Sequence, residues 1–251
     1  MNGNSHSATF RQRATMPSAN TADPNLKNGD MMLEARHITK SHPGTHSPVL
    51  YDTSLSVAEG EFIAVVGRSG SGKSTLLNVL ASLSLPDSGH VLYEGEDITT
   101  ATEARRNALR HRDFAVIFQQ HHLMPYLSAL ENVLLPFMAG LTPIPAPLRD
   151  KGRDVLARVG LSGRADALPG QLSGGEQQRV AIARALVRDA RILFADEPTG
   201  SLDSATGDEV MQLLQTLNGG GLTIVMVTHN AEYASLAHRT LHMADGCLRP
   251  A

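Results

Sequence analysis

Short apolar runs recur along the chain from Leu33 onward, and they are separated by segments long enough to form helices. A run of this length that is apolar on both faces is typical of a strand in a parallel sheet covered on both sides. The runs with this character are Glu61–Val66, Phe114–Phe118, Arg191–Ala195 and Leu222–Val227. The pattern predicts an α/β core with a mostly parallel sheet, preceded by strand-like runs that begin at Leu33.

A helical pattern replaces the strand pattern in the middle of the chain. It predicts a helix over Ser74–Leu83 and three more helices over Ala129–Phe137, Arg149–Val159 and Glu176–Arg188, with a proline-rich linker at Thr142–Pro147. We therefore expect one domain over residues 31–251, in which a helical subdomain of about residues 120–188 is inserted into the α/β core.

Composition and charge narrow the classes of function. The 251 residues are 41% hydrophobic and 19% charged, which is ordinary for a globular domain. A formal charge of -3 without a local basic patch argues against nucleic acid as a partner. Cys247 is the only cysteine, so neither an internal disulfide nor a multi-cysteine zinc site is expected.

The amino terminus differs from the rest of the chain. Residues 1–30 are rich in Asn, Ser, Thr and Ala and have few large apolar side chains, so we expect a disordered tail. Arg11 and Arg13 in an acid-poor stretch leave an organelle transit peptide open as an alternative. No apolar run approaches the roughly 18 residues that cross a bilayer, so we expect no membrane span.

A glycine-rich segment between a predicted strand and a predicted helix has the sequence GRSGSGKS. Glycines let the backbone aim its N–H groups at phosphates, and a helix N-terminus adds a partial positive charge. Lys73 would reach the β- and γ-phosphates, and the Ser74 hydroxyl would coordinate Mg²⁺. The predicted nucleotide contacts are Gly67, Ser69, Gly70, Ser71, Gly72, Lys73, Ser74 and Thr75. A glycine-rich turn with an incidental lysine is the alternative, and the loop alone does not separate a kinase, a GTPase and a transport ATPase.

Two adjacent carboxylates, Asp196 and Glu197, end the apolar run Arg191–Ala195. Ligands of a parallel sheet bind beyond the carboxyl ends of its strands, so this pair is expected near Lys73. Neighbouring side chains on a strand point in opposite directions, which lets the two acids differ in role. We expect Asp196 to hold Mg²⁺ through water and Glu197 to accept a proton from the attacking water, rather than both forming a solvated strand end.

The segment LSGGE at 172–176 starts a predicted helix, with Ser173 as its N-cap and Glu176 completing a capping box. With the motifs above, it makes the chain from Leu33 to Gly246 similar to the nucleotide-binding subunits of ABC transporters. The resemblance implies a P-loop NTPase fold with an N-terminal antiparallel β subdomain, and ATP hydrolysis by a head-to-tail homodimer. In such a dimer, Ser173, Gly174 and Gly175 close over the γ-phosphate that the partner's loop holds.

The same resemblance assigns roles to single residues. Gln119 would contact Mg²⁺ and the attacking water, His229 would hydrogen-bond the γ-phosphate, and Asp203 would touch the partner's phosphate loop. His42 stands where the family usually carries an aromatic residue that stacks on adenine, and an imidazole offers less stacking area than a phenol. Surface residues without these roles are the alternatives for Gln119 and His42.

The segment from Gln119 to Pro136 is similar to the lipoprotein-releasing and macrolide-export branch, with cell-division ATPases as close relatives. That implies an integral membrane permease as a partner, with this chain bound peripherally at the cytoplasmic face of the inner membrane. A regulatory ABC ATPase without a transport role is the alternative. A P-loop kinase is a further one, although it does not explain the LSGGE segment. His121 and His122 suggest a metal site, but no third ligand has suitable spacing.

Overall fold

The computed structural model describes residues 31–44, 47–138 and 143–250, and within them the chain forms two sheets with helices around them. The predicted tail at 1–30 lies outside these ranges, and so does Thr142, the first residue of the predicted linker. The first sheet is antiparallel and has the strand order β2-β1-β4-β5. Its strands are β1 (Met31–Lys40), β2 (Leu50–Ala58), β4 (Ser88–Tyr93) and β5 (Glu96–Asp97).

The second sheet has the order β10-β9-β3-β8-β7-β6, and its strands are parallel except for β10, which pairs antiparallel with β9. Its strands are β3 (Phe62–Val66), β6 (Phe114–Ile117), β7 (Ile192–Asp196), β8 (Thr223–Thr228), β9 (Arg239–Ala244) and β10 (Cys247–Pro250). The predicted α/β class with a mostly parallel sheet and an N-terminal antiparallel sheet is confirmed.

Burial on both faces explains why the parallel strands are apolar throughout. In β3, Phe62, Ala64 and Val66 face one core, while Ile63 and Val65 face the other. The helices that follow β6 pack into the first core, whereas the second core lies between this sheet, the antiparallel sheet and the helix after β3. The carboxyl ends of β3, β7 and β8 consequently lie side by side at one edge.

The helices are α1 (Lys73–Leu80), α2 (Glu103–Arg112), α3 (Ala129–Leu134), α4 (Ala146–Arg158), α5 (Gly174–Leu186), α6 (Ser204–Gly219) and α7 (Ala231–Ala234). The three helices predicted between β6 and β7 are confirmed, with a 3₁₀ turn at Leu135–Phe137 after α3. Their assignment to a separate subdomain of about 120–188 stays a prediction.

Several predicted boundaries are wrong by one to three residues, and two of them have a clear physical cause. The first helix ends at Leu80 instead of Leu83, because Ser82 takes a left-handed conformation (φ 57°) that an α-helix cannot continue. The linker was predicted to run to Pro147, yet α4 begins at Ala146. Proline is tolerated in the first turn of a helix, where its missing N–H would have had no helical partner.

No helix in the described ranges combines the length and the apolar character needed to cross a lipid bilayer.

Candidate functional site

The glycine-rich loop connects the end of β3 to α1 and has a backbone that few residues other than glycine adopt. Gly70 and Gly72 have φ values of 77° and 105°. A Cβ atom on Gly72 would lie 2.8 Å from the carbonyl oxygen of Val49, so a side chain there is excluded by space as well. Since Gly72 is also the N-cap of α1, no side chain covers the N-terminus of that helix. Its first-turn N–H groups are therefore available to an anion.

Lys73 is bound within its own loop. Its Nζ donates hydrogen bonds to the carbonyl oxygens of Gly67 at 2.8 Å and Arg68 at 3.2 Å, and the residue is only 7% exposed. The ammonium is thus held inside the loop by neutral acceptors. A phosphate is a stronger partner for an ammonium than a carbonyl, because both groups of that pair are charged.

Ser74 and Asp196 meet across a sequence separation of 122 residues, with Ser74 Oγ donating to Asp196 Oδ1 at 3.1 Å. Burial raises the pKa of Asp196, and it outweighs the lowering by the Ser74 hydrogen bond and by the charge of Lys73; the charge of Glu197 raises it further. The carboxylate is therefore destabilised where it lies, and a cation would offset that cost. A hydroxyl and a carboxylate are hard oxygen donors of the kind Mg²⁺ prefers, so these residues fit the ion.

Glu197 is held in a left-handed conformation (φ 48°) directly after β7. Its Oε2 lies 2.9 Å from His229 Nδ1 and accepts hydrogen bonds from the His229 backbone N–H at 3.3 Å and from Thr228 Oγ1 at 3.2 Å. A left-handed conformation is uncommon outside glycine and costs free energy, which points to a constrained functional position. Thr228 was not among the predicted site residues, and its only sequence signal is its place at the carboxyl end of a buried strand.

Gln119 approaches Glu197 through space that Gly200 leaves open. A Cβ atom on Gly200 would lie 3.0 Å from Gln119 Nε2 and 3.3 Å from the Cβ of Glu197. Ser201 Oγ also donates to the Gln119 carbonyl oxygen at 3.5 Å. The segment after β6 and the segment after β7 therefore converge on the same point.

His42 lies at the first turn of α1, where its Nε2 is 3.1 Å from Thr75 Oγ1. The imidazole is exposed and borders the glycine-rich loop on the side of the antiparallel sheet. This position is compatible with stacking on the base of a nucleotide whose phosphates lie in the loop.

Ser173 is the N-cap of α5, as predicted, and forms a capping box with Glu176. Capping of this kind stabilises a helix by about 1 kcal/mol. Arg164 Nε donates to Glu176 Oε1 at 2.9 Å, which fixes the acidic member of the box. These hydrogen bonds therefore fix the conformation of the exposed Ser173 turn without any ligand.

The Ser173 turn rests against the segment that contains Asp203. A Cβ atom on Gly175 would lie 2.1 Å from Thr206 Cγ2, and one on Gly174 would lie 3.2 Å from Leu202 Cδ2. Asp203 is the N-cap of α6 and accepts hydrogen bonds from the Thr206 N–H at 3.1 Å and from Thr206 Oγ1 at 2.7 Å, which lower its pKa. Gly175 is thus required by helix packing, independently of any ligand.

The predicted residues fall into two groups. Hydrogen bonds and close approaches collect one group at the carboxyl edge of the parallel sheet: Lys73, Ser74, Gln119, Asp196, Glu197 and His229. The other group consists of Ser173, Gly174, Gly175 and Asp203. In the described part of the chain, no hydrogen bond joins the Ser173 turn to the Lys73 loop. One copy therefore presents the two groups as separate elements, and their binding of phosphate stays a prediction.

The sequence model of the ABC transporter family matches residues 50–200, which is more than half of the chain. The chain belongs to the ABC transporter family. The predicted family, the predicted ATPase class and the P-loop fold are thereby confirmed.

Several relatives of this ABC cassette are known. It is 46% identical over 215 residues to the lipoprotein-releasing system ATP-binding protein LolD of Aquifex aeolicus, a match that covers 86% of this chain and 95% of the relative. It is 46% identical over 220 residues to the macrolide export ATP-binding/permease protein MacB 1/2 of Paracoccus denitrificans, covering 87% of this chain and 33% of the relative. The chain thus spans about a third of the length of that MacB relative, and 29% of a second one from Syntrophobacter fumaroxidans.

Solved ABC cassettes share the fold. The dimeric structure of MJ0796, a bacterial ABC transporter cassette, has a TM-score of 0.78 and 37% sequence identity, over 87% of this chain and 98% of that one. A dimeric post-hydrolysis state of MJ0796 bound to ADP and Pi has a TM-score of 0.77 and 36% identity over the same shares of the two chains. Nucleotide binding and hydrolysis are therefore properties of the family, whereas Mg²⁺ and the role of each residue stay predictions for this chain.

Proposed function

We propose that this chain is the ATP-hydrolysing subunit of an ABC complex: two copies bind two ATP molecules head to tail and drive a separate integral membrane permease of the lipoprotein-release or macrolide/peptide-export type. The match to LolD carries this proposal, because it extends over 95% of a relative whose name makes it the ATP-binding protein of a releasing system. The complex would place the chain peripherally at the cytoplasmic face of the inner membrane.

The residues at the carboxyl edge of the sheet have different roles in ATP hydrolysis. Lys73 and the first-turn N–H groups of α1 bind the phosphates, and His229 hydrogen-bonds the γ-phosphate. Glu197 accepts a proton from the water that attacks the γ-phosphorus, and the bond from phosphorus to the β–γ bridging oxygen breaks to give ADP and phosphate. Thr228, by donating to Glu197 Oε2, keeps the carboxylate oriented toward that water.

Ser74, Asp196 and Gln119 would hold Mg²⁺. Bound there, the ion would neutralise charge on the phosphate oxygens. In this structure the groups that would bind metal and phosphate are hydrogen-bonded within the chain: Ser74 donates to Asp196, and Lys73 donates to two backbone carbonyls. Nucleotide binding would therefore exchange these internal partners for phosphate and metal.

The Ser173 turn and Asp203 would complete the site of the opposite subunit. Ser173 lies at a helix N-terminus, which attracts anions, and it makes no hydrogen bond to the loop of its own chain within the described ranges. A γ-phosphate bound between Lys73 of one copy and Ser173 of the other would hold the dimer closed. Its release after hydrolysis would loosen the dimer, because the bridging ligand is then lost.

Mixing two inactive variants tests the head-to-tail dimer. Lys73→Ala and Ser173→Arg should each abolish turnover alone, since every homodimeric site then lacks one element. In a mixed dimer, one site combines the intact Lys73 of one copy with the intact Ser173 of the other. We expect the mixture to recover up to about a quarter of wild-type ATPase activity, because random pairing gives half mixed dimers with one intact site each. A mixture as inactive as its components would contradict the arrangement.

An exposed apolar surface beside Gln119 suits a helix from the permease. Met124 is 51% exposed, Tyr126 is 91% exposed and Leu168 is 40% exposed. The segment that carries Leu168 lies against the start of α3, where the Ala129 N–H donates to the Ala167 carbonyl oxygen at 2.8 Å. Exposed large apolar side chains that lie together are typical of a docking site, and an amphipathic helix in a groove is the matching mode.

Affinity purification from detergent extracts of the source cells tests the permease proposal. The wild-type chain should recover an integral membrane protein, and Tyr126→Ser should recover at least about tenfold less, because burying an exposed tyrosine contributes strongly to an interface. Tyr51→Ser is a matched control, since Tyr51 is also exposed but lies on β2. Recovery of the chain alone would contradict the proposal. A recovered complex without ATP-driven export would favour the regulatory role.

A further inference from the structure

Arg184 connects α5 to the segment that follows Gln119. Its Nη1 donates to the His122 carbonyl oxygen at 2.7 Å, and its Nη2 donates to the His121 carbonyl oxygen at 2.8 Å. The planar guanidinium thereby fixes two consecutive carbonyl groups in one orientation, which a single-point donor such as lysine cannot do. Ser173 caps the N-terminus of the same helix.

The charge of Arg184 is costly in this position. Burial lowers its pKa, and no carboxylate within the described ranges forms an ion pair with it. Arg184 is half-buried, and a partly desolvated charge that is balanced only by carbonyl dipoles destabilises the fold relative to a neutral side chain of similar size. Packing alone therefore does not explain an arginine here, whereas orienting a particular turn does.

The turn that Arg184 holds is strained. His122 adopts a left-handed conformation with φ 48°, and its ring packs edge-on against Phe118 at 5.4 Å between centroids. His121 Nε2 is buried and finds no hydrogen-bond partner among the residues that the structure describes. Such a backbone persists only when surrounding contacts impose it, and the two bonds from Arg184 are contacts of that kind.

The strained turn determines where Gln119 lies. Gln119 lies two residues before His121, and its amide reaches the space at Gly200 that also borders the Cβ of Glu197. A shift of this turn by about 1 Å would move the amide away from the hydrolysis site, and misplacements of that size lower rates by up to about a hundredfold.

We infer that Arg184 is a positioning residue that fixes where the Gln119 side chain lies and links it to the Ser173 turn through α5. The inference rests on the proposed function, in which Gln119 acts on the metal and the attacking water. A displacement of the Ser173 turn by the partner's nucleotide would pass along α5 to Arg184 and then to Gln119. Hydrolysis in one site would thus respond to occupancy of the opposite one.

A double-mutant cycle tests this coupling in the full-length chain. Arg184→Met should lower kcat for ATP by about tenfold or more and raise the Mg²⁺ concentration needed for half-maximal rate, with a smaller change in KM. In a Gln119→Ala background, Arg184→Met should lower kcat by less than about twofold further, because both changes remove one function. Arg184→Lys should retain an intermediate kcat, since lysine keeps the positive charge but lacks the two fixed N–H donors of the guanidinium.

Arg188→Met is the matched control. Arg188 lies half-buried just after α5 and donates to a backbone carbonyl, that of Pro136. Its other partners are His111 and Phe137, so it makes no hydrogen bond to the segment that follows Gln119 within the described ranges. It should change thermal stability about as much as Arg184→Met while leaving kcat within about twofold. The inference would be overturned if the losses of kcat in Arg184→Met and Gln119→Ala multiplied in the double variant. An unaltered Mg²⁺ dependence of Arg184→Met, or an equal loss of kcat in Arg188→Met, would overturn it as well. If Arg184→Met does not fold, Arg184→Lys replaces it in the cycle. A wild-type chain without ATPase activity would instead refute the proposed function.

Discussion

Glu197→Gln is expected to bind ATP with nearly wild-type affinity and to hydrolyse it at least about a hundredfold more slowly, which is the usual contribution of a positioned general base. The amide keeps the size of the carboxylate and can still accept hydrogen bonds from Thr228 and His229. It has no affinity for the proton of the attacking water. ATP therefore stays intact, and the dimer that it bridges should accumulate. Phosphate release and size-exclusion chromatography with ATP measure the two effects.

Glu209→Gln is the control for this variant, because Glu209 is an exposed acid on α6 whose partner is Arg179. It should hydrolyse ATP at the wild-type rate and remain monomeric after turnover. Unchanged phosphate release by Glu197→Gln would show that another group takes the proton, and the assignment of Glu197 as the base would then be wrong.

Lys73→Ala is expected to weaken ATP binding by about a hundredfold or more, which corresponds to about 2.7 kcal/mol. The reason is the loss of the charged donor to the phosphates at a position that is almost completely buried. Isothermal titration calorimetry with ATP measures the affinity. Hydrolysis should be lost for the same reason, and excess ATP should restore it only in part.

Lys151→Ala should bind ATP as the wild type does, because Lys151 pairs with Asp189 on the surface of α4. If Lys73→Ala keeps its affinity for ATP, the glycine-rich loop is not the phosphate site. The comparison also controls for the general loss of one positive charge.

The strands were predictable because burial on both faces leaves a continuous apolar run, as Ile192–Asp196 and Thr223–Thr228 show. Helix α2 gave no such signal. Among its ten residues only Leu109 is buried, and most of the others are charged or polar. Its stability comes from the Thr102 cap and from ion pairs such as Arg105–Glu96, which depend on neighbours in space.

The site was predictable where a general rule of sheets applies. The carboxyl ends of parallel strands share one edge, so the meeting of Ser74 with Asp196 followed from the order of elements. Thr228 and Arg184 were missed because a threonine in a strand and an arginine in a helix are common residues. Their importance comes from the atoms that they reach, and neither Glu197 nor the His121 carbonyl is near them in sequence.

The close packing of Gly175 on Thr206 leaves no room for even a methyl group between α5 and the start of α6. Ser173 and Asp203, the residues that would touch the opposite subunit, therefore belong to one stiff block. A subunit could not release one of these contacts while retaining the other. The two subunits would then lose both contacts at a nucleotide in one step, with a single energy barrier, and not one contact after the other.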